Sequence, residues 1–461
     1  MRILAPMVLA FVASAASAQA QKFTMEEAVR RAVRTNPAVG EASANRRATD
    51  FELRQAQGGL LPQVRLQADI GPESRRQYNS PLASQRSGDF QSGRQANIVV
   101  RQVIFDGFAT INESWRQAYR VDAASWRVKE RSELIALDAI QAYTDILRLQ
   151  DMIGQSSRNI EAHRRLLDNV SARVSGGRAG QGDLDQVRER VLAAEASRAE
   201  LQMRYGEALA LFRRAVDQEP KGLVWPARPA GLPKSRQEAL NIAVEHNATL
   251  RAAGADVRAV EAQRDAAKGS NMPTVALEGR AGYGKNTQNI TGRYDEYSAK
   301  LSASWLLYSG GTDTARQNEL AERVGENQMR LSVLQRQAIE SIDKAWSTRQ
   351  ALNDRIRALS GQINSAERVI GAYRSEYELG TRTLLDLLNA EQVRYNAAVG
   401  LINAKGLALF ADYQLLAASG TLLSAMKVQL PGEAHNAQRG ARENGALFPA
   451  FERAPAAPRQ P

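Results

Sequence analysis

Two aspartates at equivalent places in an internal repeat are the residues with the clearest chemical potential. Asp183 lies six residues after Gly177, and Asp386 lies six residues after Gly380. The two aspartates are 203 residues apart, and so are the two glycines. A carboxylate near such a turn can bind a cation, or it can cap the helix that follows. No further oxygen ligand follows Asp183 and Asp185 at the spacing of a calcium loop. Helix capping is therefore the simpler interpretation of Asp183.

The sequence contains no recognisable catalytic or cofactor-binding set. His163, His246 and His435 are scattered without metal-ligand spacing, and there is no cysteine. The glycine-rich stretch 176–182 lacks the Gly-Lys-Ser/Thr ending of a phosphate loop. No Ser-His-Asp set and no pair of catalytic carboxylates stands out. We therefore predict that the chain is not an enzyme and has no metal or cofactor site.

The repeat that carries the two aspartates spans most of the chain. The offset of 203 residues also relates Phe105 to Tyr308, whereas further upstream an offset of 211 relates Pro62 to Pro273. The change in offset falls between Gly71 and Phe105, which indicates a loop of variable length. A repeat of this length predicts two copies of one structural unit.

The sequence divides into five predicted segments. They are a secretory signal peptide at 1–20, a first repeat at 21–216, a linker with four prolines at 217–236, a second repeat at 237–430, and a tail at 431–461 predicted to be disordered. The signal peptide predicts an exported protein. The net charge of +11 indicates a solvated, arginine-rich surface, and we expect no nucleic-acid partner.

Each repeat contains both helical and strand patterns. An amphipathic helix opens each copy, and Thr24 with Glu27 predicts a capping box before the first. After Pro62 and Pro273 the residues alternate between apolar and polar. The alternation fits a half-buried sheet and equally fits barrel strands with lipid-facing and lumen-facing sides. Strands are predicted at 63–70, 96–105, 275–281 and 299–308, with polar hairpin loops at Gly71–Gln95 and Gly284–Ser298.

The longest pattern is helical. Proline is absent from Leu82 to Glu219 and again from Thr274 to Leu430. A helix over about 109–175 would be on the order of 100 Å long. A turn and a returning helix from Asp183 to Val216 complete a helical hairpin, and the second copy has its equivalent turn at 377–387. Helices of this length predict coiled-coil-like packing.

Four strands per chain cannot make a stable membrane sheet alone. Such a sheet leaves two unpaired edges, and each unsatisfied backbone group costs several kcal/mol in hydrocarbon. Known membrane barrels begin at about eight strands. If these strands cross a membrane, several chains must contribute to one barrel.

Two stretches of the sequence resemble the TolC family of outer-membrane efflux and secretion channels. They are EEAVRRAVRTNP at 26–37 and YELGTRTLLDLL at 377–388. The resemblance extends to about Leu430 and implies a homotrimer with a shared twelve-stranded outer-membrane β-barrel. It also implies a periplasmic α-barrel tunnel of long antiparallel helical hairpins that closes where the two turns meet. A periplasmic adaptor (membrane fusion) protein, an inner-membrane ABC or RND transporter and outer-membrane lipid would be the partners.

The resemblance also assigns roles to individual tip residues. Asp386 matches a family position that forms a ring of carboxylates at the tunnel entrance, where the charges attract cations. Tyr377 matches a tyrosine that ties the inner hairpin to the outer one through the aspartate matching Asp183. Arg382 matches an arginine in links between neighbouring chains. Gly177 and Gly380 are the turn glycines.

The chain departs from the family pattern at two tip positions. Asn389 stands where the family has a second aspartate, so the carboxylate ring is predicted to be single and its cation selectivity weaker. Gly182 stands where the best-known members have a hydroxyl residue. One closing hydrogen bond is therefore predicted to be missing.

The sequence leaves two classes of function open. The first is a passive trimeric exit duct of a tripartite export system, and the second is a non-channel coiled-coil structural protein of the cell envelope. Within the first class, the stretch GRAGQGDLDQ at 177–186 resembles the type I protein-secretion branch. We therefore expect type I secretion, with a proton-driven multidrug efflux pump as the alternative.

Overall fold

The computed structural model describes residues 23–74, 90–287, 290–435 and 439–440. The predicted signal peptide lies outside the described residues. In the first half the elements are α1 (Met25–Thr35), α2 (Pro37–Gly58), β1 (Gln63–Glu73), β2 (Gln91–Phe105), α3 (Ala109–Ser175) and α4 (Gln181–Val216). In the second half they are α5 (Arg236–His246), α6 (Ala248–Ala267), β3 (Thr274–Thr287), β4 (Ile290–Ser304), α7 (Thr312–Glu378), α8 (Leu384–Ala418) and the short α9 (Leu422–Ala425). Short 3-10 turns lie at Lys268–Asn271 and Gly432–Ala434.

Two very long helices dominate the chain. Helices α3 and α7 have 67 residues each, which corresponds to about 100 Å. The predicted helix over about 109–175 is confirmed. Helices α4 and α8 return from the far ends and pack against α3 and α7, so the predicted helical hairpins are confirmed as well. No helix in the described ranges is both long and apolar enough to span a membrane.

The short helices at the start of each half are joined by an asparagine with the same role in both. The Asn36 side-chain oxygen accepts from the backbone N–H of Ala38 (3.0 Å), and its amide donates to the Ala215 carbonyl (3.3 Å). Asn247 likewise caps α6 and donates to the Ala418 carbonyl (3.0 Å). Each asparagine therefore ties the break between two helices to the end of the returning long helix.

The N-terminus of α1 has the capping interaction that the sequence predicts. The Thr24 hydroxyl oxygen accepts from the backbone N–H of Glu27 (3.2 Å), which satisfies one of the free donors of the first turn. The apolar side of α1 is buried against the middle of α3, beside the fully buried Tyr143. The Tyr143 hydroxyl bonds with the Phe23 carbonyl (2.8 Å) and accepts from the Val224 N–H (3.0 Å). The core thus fixes both the start of the described chain and the linker between the halves.

The four strands form one antiparallel sheet in the order β1-β2-β3-β4. The predicted loop Gly284–Ser298 is wrong in extent, because β3 continues to Thr287 and β4 begins at Ile290. The loop predicted at Gly71–Gln95 is also shortened at both ends, and its residues 75–89 lie outside the described residues. Glycine and polar residues marked these segments as loops, yet backbone pairing needs no apolar side chain.

The last predicted strand is too long at its end. Strand β4 stops at Ser304. Trp305 leaves the sheet, and its indole N–H donates to the Asn271 carbonyl (3.2 Å).

The two faces of the sheet differ sharply in chemistry. Residues that pair directly across strands share a face, which places Leu66 opposite Ile98 and Leu277 opposite Leu301. Leu66 is 70% exposed and Leu301 71% exposed, so no part of the described chain covers this apolar face. The other face carries charged side chains, including the row Arg101, Glu278 and Lys300.

The first residues of the predicted tail pack against the helices. Backbone N–H groups of Arg439 and Gly440 each donate to the buried Asp122 carboxylate on α3 (2.9 Å). Glu433 pairs with Arg47 on α2. The rest of the tail, at 436–438 and 441–461, lies outside the described residues.

A buried carboxyl on α3 links stability to pH. Glu133 is 7% exposed, and the Lys129 ammonium lies 3.9 Å from it. That ammonium also donates to the carbonyls of His246 (3.0 Å) and Gly420 (3.1 Å). Burial raises the pKa of Glu133 to about 7; Lys129 opposes the shift, and Glu130 adds to it. The folded protein therefore binds a proton here more tightly than the unfolded chain does.

We expect the thermal unfolding midpoint to contain a component that falls as pH rises from about 4.5 to 7. A group with a raised folded-state pKa contributes stability below its unfolded pKa and loses it as pH passes the folded pKa. Glu133→Gln should remove this component when unfolding of the purified protein is followed across that range. Glu322→Gln, at an exposed position on α7, is the matched control. Equal pH slopes for the wild type and Glu133→Gln would contradict the assignment.

Candidate functional site

The candidate site is the pair of turns that close the long hairpins. Gly177 and Gly380 have φ angles of +71° and +78°, which favour glycine because it has no Cβ. The N–H that follows each glycine bonds back to the last turn of the long helix, Arg178 to the Arg173 carbonyl (2.8 Å) and Thr381 to the Glu376 carbonyl (2.9 Å). The two predicted turn glycines therefore end their helices in the same way.

The helices that leave these turns begin differently. In the second half, the Thr383 hydroxyl oxygen accepts from the Asp386 N–H (3.2 Å), and the hydroxyl donates to the Asp386 carboxylate (2.7 Å). In the first half Gly180 is the N-cap, and it has no side chain to cap α4. Asp183 lies in the first turn, where its charge favours the positive end of the helix. The interpretation of Asp183 as a side-chain cap is therefore wrong.

Arg382 contacts residues of its own hairpin. Its Nε donates to the Glu376 carboxylate (2.8 Å), and its guanidinium lies 4.2 Å from the centre of the Tyr373 ring. The Asp386 carboxylate is 3.9 Å from the same guanidinium. Arg382 and Asp386 are both partly exposed, so their charges face the surroundings of the tip.

Tyr377 makes the contacts that join the two hairpins. Its ring packs on a tip cluster of apolar side chains from α3, α4 and α8, whose buried members are Val170, Val187, Leu384 and Leu388. The Arg173 guanidinium on α3 lies 4.7 Å from the centre of the Tyr377 ring, a distance typical of a cation–π contact. The structure therefore fastens one hairpin to the other through this ring.

Asp183 lies near Tyr377 without bonding to it. Burial raises the pKa of the Tyr377 phenol; Arg173 opposes the shift, and the Asp183 charge adds to it. Among the described residues, no hydrogen bond joins the Tyr377 hydroxyl to the Asp183 carboxylate. Asp183 and Tyr377 are thus brought together, whereas Arg382 lies in a separate set of contacts within the second hairpin.

Sequence reasoning missed Arg173 and the apolar tip cluster. The repeat contained a usable signal, because Arg173 corresponds to Glu376 at the offset of 203 residues. Both residues lie in the last turn of a long helix, and their charges are opposite. Each of them makes a tip contact, Arg173 with Tyr377 and Glu376 with Arg382.

A buried polar layer lies one to three helical turns above the tip. Glu391 on α8 accepts from Arg374 on α7 (3.1 Å) and from Arg394 (3.3 Å). His163 on α3 is 1% exposed, and burial lowers the pKa of its ring, with Glu391 opposing the shift. Across the described ranges, no three His, Asp or Glu side chains are placed to hold a metal ion. The layer joins three helices by charge and burial.

Comparisons with known proteins match this architecture. The sequence profile of the family described as "Outer membrane efflux protein" matches residues 28–216 and 239–421. The outer membrane efflux protein BepC of Brucella suis biovar 1 is 24% identical over 405 residues, covering 87% of this chain and 86% of BepC. The alkaline protease secretion protein AprF of Pseudomonas aeruginosa is 26% identical over 367 residues, covering 75% and 74%.

A solved structure supports the fold. The outer membrane channel CmeC of Campylobacter jejuni superposes with a TM-score of 0.77 at 13% identity, covering 89% of each chain. At that identity the likeness bears on the fold alone. The family profile covers most of the chain, in two blocks that correspond to its two halves. It confirms the resemblance to outer-membrane efflux and secretion channels and excludes the non-channel alternative. The chain therefore belongs to the outer membrane efflux protein family, whose members are channels rather than enzymes, and it is located in the outer membrane with a helical tunnel in the periplasm.

Proposed function

We propose that three copies of this chain form one twelve-stranded outer-membrane barrel that continues into a closed helical tunnel. The observation that carries the proposal is the four-stranded sheet, whose apolar face is uncovered and whose outer strands β1 and β4 each have one unpaired edge. In hydrocarbon those edges need partners, and a neighbouring chain supplies them by pairing its β1 with β4. This arrangement keeps every neighbouring pair antiparallel.

The chemistry of the faces supports the same orientation in the barrel. The face with Leu66 and Leu301 contacts lipid, and the face with Arg101, Glu278 and Lys300 lines the lumen. The long hairpins then extend away from the barrel. The tip lies more than 60 residues from the start of α3 and α7. It closes the tunnel at the end far from the barrel.

We infer that the duct works passively as the exit of a tripartite export system. An adaptor protein and an inner-membrane transporter supply the substrate and the energy, as the resemblance to the TolC family implies. Opening requires the two hairpins to separate at the tip. The Arg173–Tyr377 contact and the apolar tip cluster resist that separation.

Type I protein secretion is the proposed use of the duct. The likeness to AprF, a protein whose name describes alkaline protease secretion, and the stretch 177–186 support this choice. The family description and the likeness to BepC, an efflux protein by name, support the alternative, the outer-membrane component of a proton-driven multidrug efflux pump. The two uses differ in what accumulates outside the cell.

We expect cysteines on the two outer strands to cross-link neighbouring chains. The natural sequence has no cysteine, so Gln67→Cys on β1 can be combined with Ser298→Cys, Lys300→Cys or Ser302→Cys on the same face of β4. Oxidation should give covalent dimers and trimers on a non-reducing gel in at least one pairing. Leu66→Cys with Lys300→Cys, on opposite faces, is the control. Monomers in all three test pairings would contradict the shared barrel.

We expect Arg173→Gln combined with Tyr377→Leu to raise single-channel conductance in planar bilayers. The change removes a cation–π contact, worth about 0.5–2 kcal/mol, from each of three chains. Arg178→Gln removes an exposed cation from the same turn and should leave conductance unchanged. The resemblance implies a different latch, in which Asp183, Tyr377 and Arg382 hold the entrance shut, and Tyr377→Phe with Arg382→Ser tests it. Higher conductance in that variant alone would favour Asp183, Tyr377 and Arg382 as the latch.

In the same bilayers, Asp386→Asn should lower cation preference while conductance stays near the wild-type value, because it removes charge without breaking a contact between hairpins. Asp185→Asn, on the outer hairpin and paired with Arg188, is its control. Unchanged ion selectivity in Asp386→Asn would contradict the charged entrance.

We expect deletion of the chain to abolish secretion of a protein substrate while resistance to small toxic compounds is unchanged. Extracellular proteins are compared by mass spectrometry, and growth is measured across a panel of antibiotics and detergents. Complementation with the wild-type chain is the control. Normal secretion with lost resistance would assign the duct to efflux and leave the shared barrel untouched.

A further inference from the structure

A basic groove lies beside α1, far from both the sheet and the tip. It consists of two neighbouring cavities of about 690 Å³ and 560 Å³. Arg30 and Lys427 line both cavities and therefore mark the place where the two meet. The proposed duct function gives this groove no role.

Three of the five cations that line the groove have no partner among the described residues. The larger cavity is lined by Arg30, Arg34, Arg47 and Lys427, against the single carboxylate Glu433. Glu433 pairs with Arg47. The side chains of the other three cations form no hydrogen bond or ion pair with any described residue. Three positive charges without an ion pair among the described residues therefore face the larger cavity, while Glu26, one helical turn before Arg30, lines the smaller one.

The folding of α1 does not explain this arrangement. Arg31 on the same helix has a structural role, because its guanidinium donates to the carbonyls of Val216 (3.3 Å) and Asp217 (3.2 Å). Arg30 and Arg34 are four residues apart on a helix, so their like charges repel. An anion in the groove would remove that repulsion.

Lys427 lies where the two cavities meet, in a backbone conformation that is unusual for lysine. It follows the end of α9 with a φ of +53°, and its N–H bonds to the Ser424 carbonyl (3.1 Å). Left-handed residues at three other helix ends are glycines, Gly177, Gly380 and Gly420, whereas Asp217 at the end of α4 is a second non-glycine example. A lysine is less favourable than glycine in this conformation. The chain nevertheless places an ammonium group at the junction of the two cavities.

The position of the groove excludes a lipid headgroup as its ligand. The cavity contacts α2 at Gly40 and Ser43, whereas β1 begins beyond the end of α2 at Gly58. The helix between Gly40 and Gly58 is about 27 Å long. A headgroup layer is only about 5–7 Å thick on each side of the hydrocarbon. With the strands in the membrane, the ligand must come from the periplasm.

We propose that this groove binds a soluble periplasmic polyanion with clustered phosphate or carboxylate groups. Three free cations match a ligand with about three negative charges, and guanidinium groups bind such oxygens in forked geometry. Glu433 competes with the ligand for Arg47, because its carboxylate already pairs with that guanidinium in the cavity. Removing this carboxylate frees a fourth cation for the ligand.

Titration calorimetry on the purified full-length protein, with inorganic pyrophosphate and with citrate as probes, tests the proposal. Arg30→Gln and Arg34→Gln should each weaken binding about tenfold, equivalent to about 1.4 kcal/mol. Glu433→Gln should strengthen binding several-fold. Arg355→Gln, at an exposed position on α7, should leave the affinity unchanged. Binding of either probe supports the proposal, and the tighter one identifies the preferred anion group.

Lys427→Gly separates a binding role from a structural one. It should weaken binding about tenfold while the thermal unfolding midpoint stays equal or rises, because glycine suits the left-handed conformation. If neither probe binds, or if the Arg30, Arg34 and Lys427 variants bind as the wild type does, the proposal is overturned. A fall in thermal stability of Lys427→Gly with unchanged affinity would likewise assign this lysine to folding.

Discussion

Backbone hydrogen bonding at the edges of a small sheet is the constraint on which the rest of the molecule depends. Strands β1 and β4 each expose one edge, and the apolar face they share with β2 and β3 is bare. In water such a sheet would aggregate, and in lipid its free N–H and C=O groups would be costly. Assembly with other copies pairs the edges, and lipid then covers the apolar face, so the proposed trimer is part of the fold's stability.

The long helices connect that assembly to the tip, about 100 Å away, and so determine where the tip residues lie. They can do so because the short helices and the linker are tied to the long helices. Asn36 and Asn247 tie the short helices to the ends of α4 and α8, and Tyr143 ties the linker to α3. Beyond those ties the hairpins meet through the buried layer around Glu391, the apolar tip cluster and the Arg173–Tyr377 contact. Separating the hairpins at the tip requires breaking the last two.

Sequence alone determined the features that depend on local chemistry. The long helix over 109–175, the cap at Thr24 and the turns at Gly177 and Gly380 all follow from residues within a few positions of one another. Helix capping, proline exclusion and left-handed turns act within one or two turns of chain. The presence and order of four strands were also readable, because alternation has a fixed period of two.

Tertiary structure decided whatever depends on distances across the chain. The strands extend through segments whose glycine and polar residues indicate loops, because backbone pairing with a neighbour outweighs local preference. Asp183 does not cap its helix, since Gly180 is the N-cap of α4. The contact between Arg173 and Tyr377 joins residues about 200 positions apart, and no local rule predicts it. Which charges meet at the tip is therefore set by the packing of long helices, while the sequence fixes only where those helices turn.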